Sequence, residues 1–524
     1  MIYALRLFGS RLLITLLLIG LAAAGNAQEH PGRPSGGSER RAEQGQHGGT
    51  AGPNQGEPGV LSLLPADSVT QHSITTPAGK LDYTATAGTF SLFDQSGERS
   101  AAVFYTAYVA KSENPANRPV TFVFNGGPGA ASAFLNLGVV GPRVAEFGPN
   151  GNDGSKVRLI DNPDTWLAFT DLVLIDPVGT GWSRAAKRDG GEAFWGVEAD
   201  AESMAKVIAL YVAKNSRVSS PKFILGESYG GFRAAKVARA LQSEQGISVG
   251  GILMLSPMLD GAFQFGGERF ALGAALLLPS LAAAELERKG KFSQQALAEA
   301  EHFALTDYLT ALAGPPLQGD AAQKFYARVA AITGLPQDVV ARQRGFIDDA
   351  YVKDLRRGEQ KIVSHYDATF ATDDPNPESA AARGPDPILD ALVRSYGSAF
   401  VAYARDELGF KTEMTYNLLA GDISGKWKWG SSRRQPSVEQ DLRDLLALTP
   451  SFRLMIANGY SDMVTPFGVS RYVLDHLPAV DGEGRTELKL YRGGHMFYLD
   501  PASRKAFTAD ARTMYASPIT TQPD

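Results

Sequence analysis

The chain has no cysteine. That excludes disulfides, a lipid-modified cysteine anchor and a thiolate site of any kind, and leaves the fold to be held by packing alone. Histidine is scarce, at seven in 524 residues, and no His/Asp/Glu cluster has metal-ligand spacing, so neither a metal nor another cofactor is expected. Asp373-Asp374 in a proline-rich loop reads as a solvated pair. A net charge of −5, with no basic patch carrying interleaved aromatics, argues against nucleic-acid binding. Apolar runs long enough to span a bilayer are missing too. The run Leu12–Ala24 behind Arg6 and Arg11 is too short for a span but suits a secretory signal, with cleavage after Ala27. The second apolar stretch, Phe270–Ala284, is interrupted by Pro279 and reads as a buried helix. The expectation is an exported protein, periplasmic or extracellular, with no stable membrane insertion after cleavage. Nothing in the sequence fixes an oligomeric state.

What is present is ordinary for a large globular chain, at 44% hydrophobic and 20% charged. Residues 28–59 are Gly, Pro, Gln, Glu and Ser-rich and read as a disordered tether. From about 70 to 110, as in Lys80–Thr86 and Ala102–Tyr108, apolar and polar residues alternate around a turn at Gln95-Ser96-Gly97, which predicts an antiparallel entry to a sheet. From 119 to 260, apolar strand runs alternate with helical segments, the pattern of a mostly parallel sheet covered on both faces. Residues 262–445 read mostly as helix, with examples at 269–288, 294–312 and 388–408. The predicted fold is an alpha/beta-hydrolase core over 60–261 and 446–524, interrupted by a large helical cap insertion over 262–445.

Chemistry enters at Gly226-Glu227-Ser228-Tyr229-Gly230-Gly231. A strand-like run, 221–225, precedes it and a helical one, 232–241, follows. A G-x-S-x-G between strand and helix is a nucleophile elbow, whose flanking glycines leave no side chain in a sharp turn. A serine hydroxyl needs a base and the base needs an orienting acid, in chain order Ser, acid, His for this fold. Of His302, His365, His476 and His495, the last is best placed, in Gly493-Gly494-His495-Met496 after the strand-like 487–491. Asp462 follows the apolar run 452–457, at a strand end. Alone it reads equally as a turn aspartate, with Asp475 the competing acid; the Ser228 and His495 contexts favour Asp462. The strand 121–124 opens into Asn125-Gly126-Gly127-Pro128-Gly129, a glycine loop suited to an oxyanion hole.

These blocks resemble the serine carboxypeptidase family, with its N-G-G-P-G, G-E-S-Y-G-G and G-H-M motifs. Asn162-Pro163-Asp164-Thr165-Trp166 and Asp176-Pro177-Val178-Gly179-Thr180-Gly181-Trp182-Ser183 match two further blocks in the same order. G-G-P-G alone also occurs in proline aminopeptidases. The resemblance implies Ser228 as nucleophile, His495 as general base and acid, Asp462 as orienter, and backbone oxyanion donors at Gly127 and Tyr229. It implies Asn125, Gly126 and Glu227 as the group that binds a peptide substrate's C-terminal carboxylate. The chain departs from the family at Val139, where a second acid should face Glu227, and at Val123 and Ala130. Glu146 is a candidate replacement acid. Loss of the second carboxyl leaves burial alone to keep Glu227 protonated, so weak discrimination between free-acid and amide substrates is expected at pH 7. The implied function is removal of C-terminal residues from peptides. An esterase or acyltransferase on the same triad is the alternative, and a non-catalytic binding protein a third reading.

Overall fold

The alternation read between 70 and 110 becomes three antiparallel strands, β1 Ser68–Thr76, β2 Gly79–Phe93 and β3 Arg99–Ala110. The computed structural model describes residues 59–148, 153–266, 269–390, 393–478 and 484–516. The secretory signal expected over 1–27 and the tether expected over 28–59 lie outside them, apart from Gly59. The β2–β3 turn closes where expected, with Asp94 Oδ1 accepting the backbone N–H of Ser96 and Glu98.

Six parallel strands follow: β4 Val120–Phe124, β5 Asp171–Ile175, β6 Lys222–Glu227, β7 Gly251–Leu255, β8 Arg453–Gly459 and β9 Thr486–Tyr491. Their order across the sheet is β1-β2-β3-β5-β4-β6-β7-β8-β9. Every residue of β4, β5, β6 and β7 is buried, as strands covered on both faces require. Alternate residues feed two cores. Ile224 joins the helix Val197–Lys214 and the helix Tyr229–Glu244 on one face, while Phe223 and Leu225 join Phe507, Ala511 and Met514 of the C-terminal helix on the other. Each of the larger of these, such as Ile224, Leu225 or Phe507, contributes about 1.5–3 kcal/mol by its burial.

The chain order reverses at β4: the next parallel strand, β5, lies on one side of it, and β6 on the other. The crevice at the carboxyl ends of strands on either side of such a reversal is where open α/β sheets bind ligands. Here the two strands that flank it are those that lead into the glycine loop and the serine elbow.

Between β7 and β8 the predicted helices 269–288 and 294–312 are present, as Ala271–Arg288 and as Gln294–Phe303 continued through a wide turn to Ala313. Pro279 does not end its helix, and residues 275–285 are buried, so the apolar stretch is interior. With Tyr308, Val329, Val340 and Tyr351 it forms a separate apolar core. The third helix is shorter than predicted, Ser395–Asp406. Upstream, the Asp386 side chain accepts the N–H of Ile388 and Leu389 and holds a turn instead. Residues 409–438 are largely irregular, but Trp427, Trp429 and Val438 pack into the main core. So do Leu442, Leu445 and Leu446 of the helix Glu439–Leu448, which straddles the boundary expected at 446.

Candidate active site

β6 runs straight into Ser228, which takes φ 60°, ψ −126° before the helix begins at Tyr229. A non-glycine residue at positive φ is held there only when its surroundings over-determine it. Its own N–H donates to the Leu255 carbonyl at 2.9 Å. A Cβ on Gly226 would lie 1.9 Å from the Gly230 carbonyl oxygen, and one on Gly230 would lie 2.6 Å from the Phe124 oxygen. Both glycines are therefore dictated by backbone contact. Their effect is to present Ser228, half-buried, at the amino end of a 16-residue helix.

The glycine loop meets the elbow directly. A Cβ on Gly126 would lie 2.6 Å from the Tyr229 nitrogen, and Gly127 takes φ +100°. Behind this contact Arg233, 1% exposed, bonds Asp200 at 2.6 Å and donates to the Asn125 carbonyl, tying the serine helix to the loop.

His495 sits after β9 on a turn with Gly493 at φ +107°. Its Nδ1 lies 2.9 Å from Asp462 Oδ2, and both side chains are buried. An ionised carboxylate only accepts, so in the neutral ring Nδ1 carries the proton and Nε2 keeps a free lone pair. Asp462 is fixed in turn, Oδ1 accepting the N–H of Val464 at 2.8 Å and of Thr465 at 3.0 Å. The Thr465 hydroxyl lies 2.8 Å from Asp462 Oδ2 and 3.0 Å from His495 Nδ1. Burial alone would lower the imidazole's affinity for a proton, but Asp462, with Glu227 and Asp386 beyond it, raises its pKa above the ordinary histidine value. Asp475 and His476 take no part: they end the helix Phe467–Asp475, and the His476 ring bonds the Tyr472 carbonyl at 2.7 Å. His302 is exposed on the helix Gln294–Phe303, and His365 lines a wider cleft.

Ser228, His495, Gly126, Gly127, Tyr229, Asn125 and Glu227 line one pocket of about 190 Å³. Asp462 stands behind it. Apolar walls come from Phe134, Met258, Phe265, Leu389 and Trp429. A cleft of about 1250 Å³ shares Met258, Phe265, Tyr366 and Arg433 with the pocket and is lined both by the segment between β7 and β8 and by the turn after Asp462. Among the described residues no group of three or more His, Asp or Glu could hold a metal ion.

Glu227 is buried to 3% exposure. Asn125 Nδ2 donates to Oε2, and the Tyr498 hydroxyl lies 3.0 Å from Oε1 and 3.2 Å from Oε2. Burial pushes its pKa up to about 7, against the opposing pull of His495, Tyr498 and Asn125. Val139 is a core residue, and Glu146 is partly exposed and paired with Arg158 at 2.6 Å, so Glu146 supplies no second carboxyl here. A buried phenol meets Glu227 instead. The sequence reading missed Tyr498 and Thr465, each three residues beyond a residue it named. Only the spacing Asp-x-x-Thr, common in side-chain-capped turns, offered a signal for Thr465.

A family model described as serine carboxypeptidase matches residues 86–496. Curated relatives include serine carboxypeptidase-like 42 of Arabidopsis thaliana, 30% identical over 170 residues, which cover 30% of this chain and 33% of the relative. Serine carboxypeptidase-like 44 of the same plant is 27% identical, over 34% of this chain and 33% of the relative. Carboxypeptidase Y homolog A of Talaromyces marneffei is 26% identical, over 34% and 30%. The match thus spans about a third of the length of these relatives. Among solved structures, the prohormone-processing carboxypeptidase Kex1 of Saccharomyces cerevisiae superposes with a TM-score of 0.51 at 16% identity, over 86% of this chain and 95% of that one. The last likeness shows the fold, an alpha/beta hydrolase, and with the family model spanning most of the described residues the chain belongs to the serine carboxypeptidase family.

Proposed function

We propose that this is an exported serine carboxypeptidase that releases residues from peptide C-termini through an acyl-enzyme. His495 Nε2 takes the Ser228 proton as Oγ bonds to the scissile carbonyl carbon. The oxyanion that forms is met by the N–H groups of Gly127 and Tyr229. The C–N bond breaks as His495 returns the proton to the departing amine, and a water, deprotonated by the same imidazole, then hydrolyses the ester. Asp462 keeps the ring in the right tautomer and balances its charge.

What selects the last residue is a buried carboxyl beside the nucleophile. Asn125, the Gly126 amide and protonated Glu227 donate to the substrate's terminal carboxylate. Below pH 7 Glu227 is mostly neutral and donates; above it the ionised group repels. The advantage of a free acid over its amide therefore falls about tenfold per pH unit above 7. At pH 7 it stands at about half its acid limit, so the weakening expected from Val139 sets in only above neutrality.

The observation that carries this reading is the strained Ser228 sharing one pocket with His495, which is held by Asp462, and with Glu227. A fluorophosphonate probe tests it: peptide mapping should find the adduct on Ser228, and none on the Ser228→Ala protein. An adduct elsewhere, or none on wild type, would overturn it. Export is part of the proposal. It predicts a mature N-terminus near Gln28, and native material that begins at Met1 would contradict it.

A further inference from the structure

Glu227 is held by one side chain that the proposed reaction does not use. The Tyr498 ring is completely buried, and its hydroxyl lies within hydrogen-bond reach of both carboxyl oxygens, at 3.0 and 3.2 Å. Space for it is made by Gly138: a Cβ there would lie 2.6 Å from Tyr498 Cε2 and 3.0 Å from the Tyr396 hydroxyl. Asn125 Nδ2 also donates to the carboxyl, and Asn125 Oδ1 accepts the Leu135 N–H at 3.0 Å. Two donors, one of them within reach of both oxygens, restrain how the carboxyl can turn. When Glu227 is protonated, its own O–H is the hydrogen left over, and it can face the pocket, which Glu227 lines.

We infer that Tyr498 is a positioning residue for substrate recognition. Its hydroxyl fixes the Glu227 carboxyl so that the acid hydrogen faces the terminal carboxylate of the substrate, and so sets the discrimination between free-acid and amide substrates. The inference rests on the carboxypeptidase reading, and adds to it a residue outside the triad, the oxyanion hole and the Asn125-Gly126-Glu227 group.

The titratable groups that face Glu227 are His495 and Asp462 from the ends of β9 and β8, Tyr498 from the turn after His495, and Tyr366 and Tyr396 from the segment between β7 and β8. Of these, Tyr498 touches it. A phenol that donates to a carboxyl favours the ionised form. Removing the hydroxyl should therefore shift the Glu227 titration upward while loosening its geometry.

The experiment is the ratio of kcat/KM for a matched free-acid and amide peptide from pH 5 to 9, in wild type, Tyr498→Phe and Glu227→Gln. Fluorophosphonate labelling of Ser228 and circular dichroism check each fold. In Tyr498→Phe at pH 5 the ratio should drop about tenfold, through a raised KM for the free acid, as for a lost hydrogen bond to a charged group's partner. The inflection of the ratio should move above its wild-type position. In Glu227→Gln the inflection should vanish. A flat Glu227→Gln profile with a wild-type ratio and inflection in Tyr498→Phe would overturn the role of Tyr498 alone. An equal loss on both substrates in Tyr498→Phe would overturn it too, as a purely structural effect. A wild-type inflection in Glu227→Gln would overturn the carboxylate reading and this inference together. Should Tyr498→Phe not fold, Gly138→Ala keeps the hydroxyl but pushes the ring away, and the same two changes are expected of it.

Discussion

Asp200→Asn should cripple stability although it lies outside the pocket. The carboxylate is 3% exposed and its partner Arg233 1% exposed, with Nε 2.6 Å from Oδ2. The guanidinium also stacks 5.1 Å from the Tyr229 ring and donates to the Asn125 carbonyl. An arginine cannot shed its proton at any usable pH, so the substitution leaves a cation sealed among aromatic side chains. Removing one partner of such a pair costs about 3–5 kcal/mol, against a whole-domain stability of about 5–15. Urea unfolding followed by the fluorescence of the five tryptophans should show a correspondingly lower midpoint. The double substitution Asp200→Leu with Arg233→Met removes both charges at once, and should cost less than either change alone. It should not restore full turnover, because the Asn125 carbonyl, at the start of the oxyanion loop, has lost its donor. An Asp200→Asn protein within about 1 kcal/mol of wild type would refute the reasoning, since a buried unpaired charge cannot be that cheap.

Three further outcomes are expected. Ser228→Ala and His495→Ala should each abolish hydrolysis, with the double change little worse than either single one, because nucleophile and base act as a unit; additive losses in kcat would contradict that. Asp462→Asn should lower kcat sharply while Asp475→Asn should not, and the reverse result would reassign the acid. Stability should fall as pH rises from about 4 to 7. Burial pushes Glu227 and Asp176 up to about 7 from ordinary values of 4.5 and 3.8, so the folded chain holds protons that the unfolded chain has released. Asp176→Asn should make the loss between pH 5 and 8 smaller than in wild type, by at most about 3 kcal/mol, since only the stretch from pH 5 to about 7 falls in that window; equal losses in urea titrations would contradict it.

The parts legible in the sequence are those where chemistry leaves no choice of residue. Gly226 and Gly230 are readable because any side chain would strike backbone, and β4 to β7 because strands buried on both faces carry apolar runs with polar residues mainly at their ends. Asp462 and His495 stood out because each comes after a strand-like run, β8 largely buried and β9 partly exposed. Harder were residues defined by contacts across the chain. Tyr498 meets Glu227 over a separation of 271 residues, and no local pattern distinguishes it from an ordinary core tyrosine. The departure at Val139 was visible, but not the phenol that meets Glu227, whose ring packs so close to Gly138 that a Cβ there would lie 2.6 Å from Tyr498 Cε2. The helix expected over 388–408 begins only at Ser395; upstream, Asp386 Oδ1 accepts the N–H of Ile388 and Leu389, a local side-chain cap that closes a turn as readily as it starts a helix, so the sequence does not tell the two apart.

The central claim is that this pocket removes residues from the carboxyl end of a peptide. Mass spectrometry of a defined peptide incubated at pH 6, with a free C-terminus and as its C-terminal amide, tests it most directly. The account predicts a ladder of products shortened one residue at a time from the C-terminus of the free peptide, slower processing of the amide, and no ladder with Ser228→Ala. Cleavage at internal bonds, trimming from the N-terminus, or hydrolysis of simple esters with both peptides left intact would contradict it.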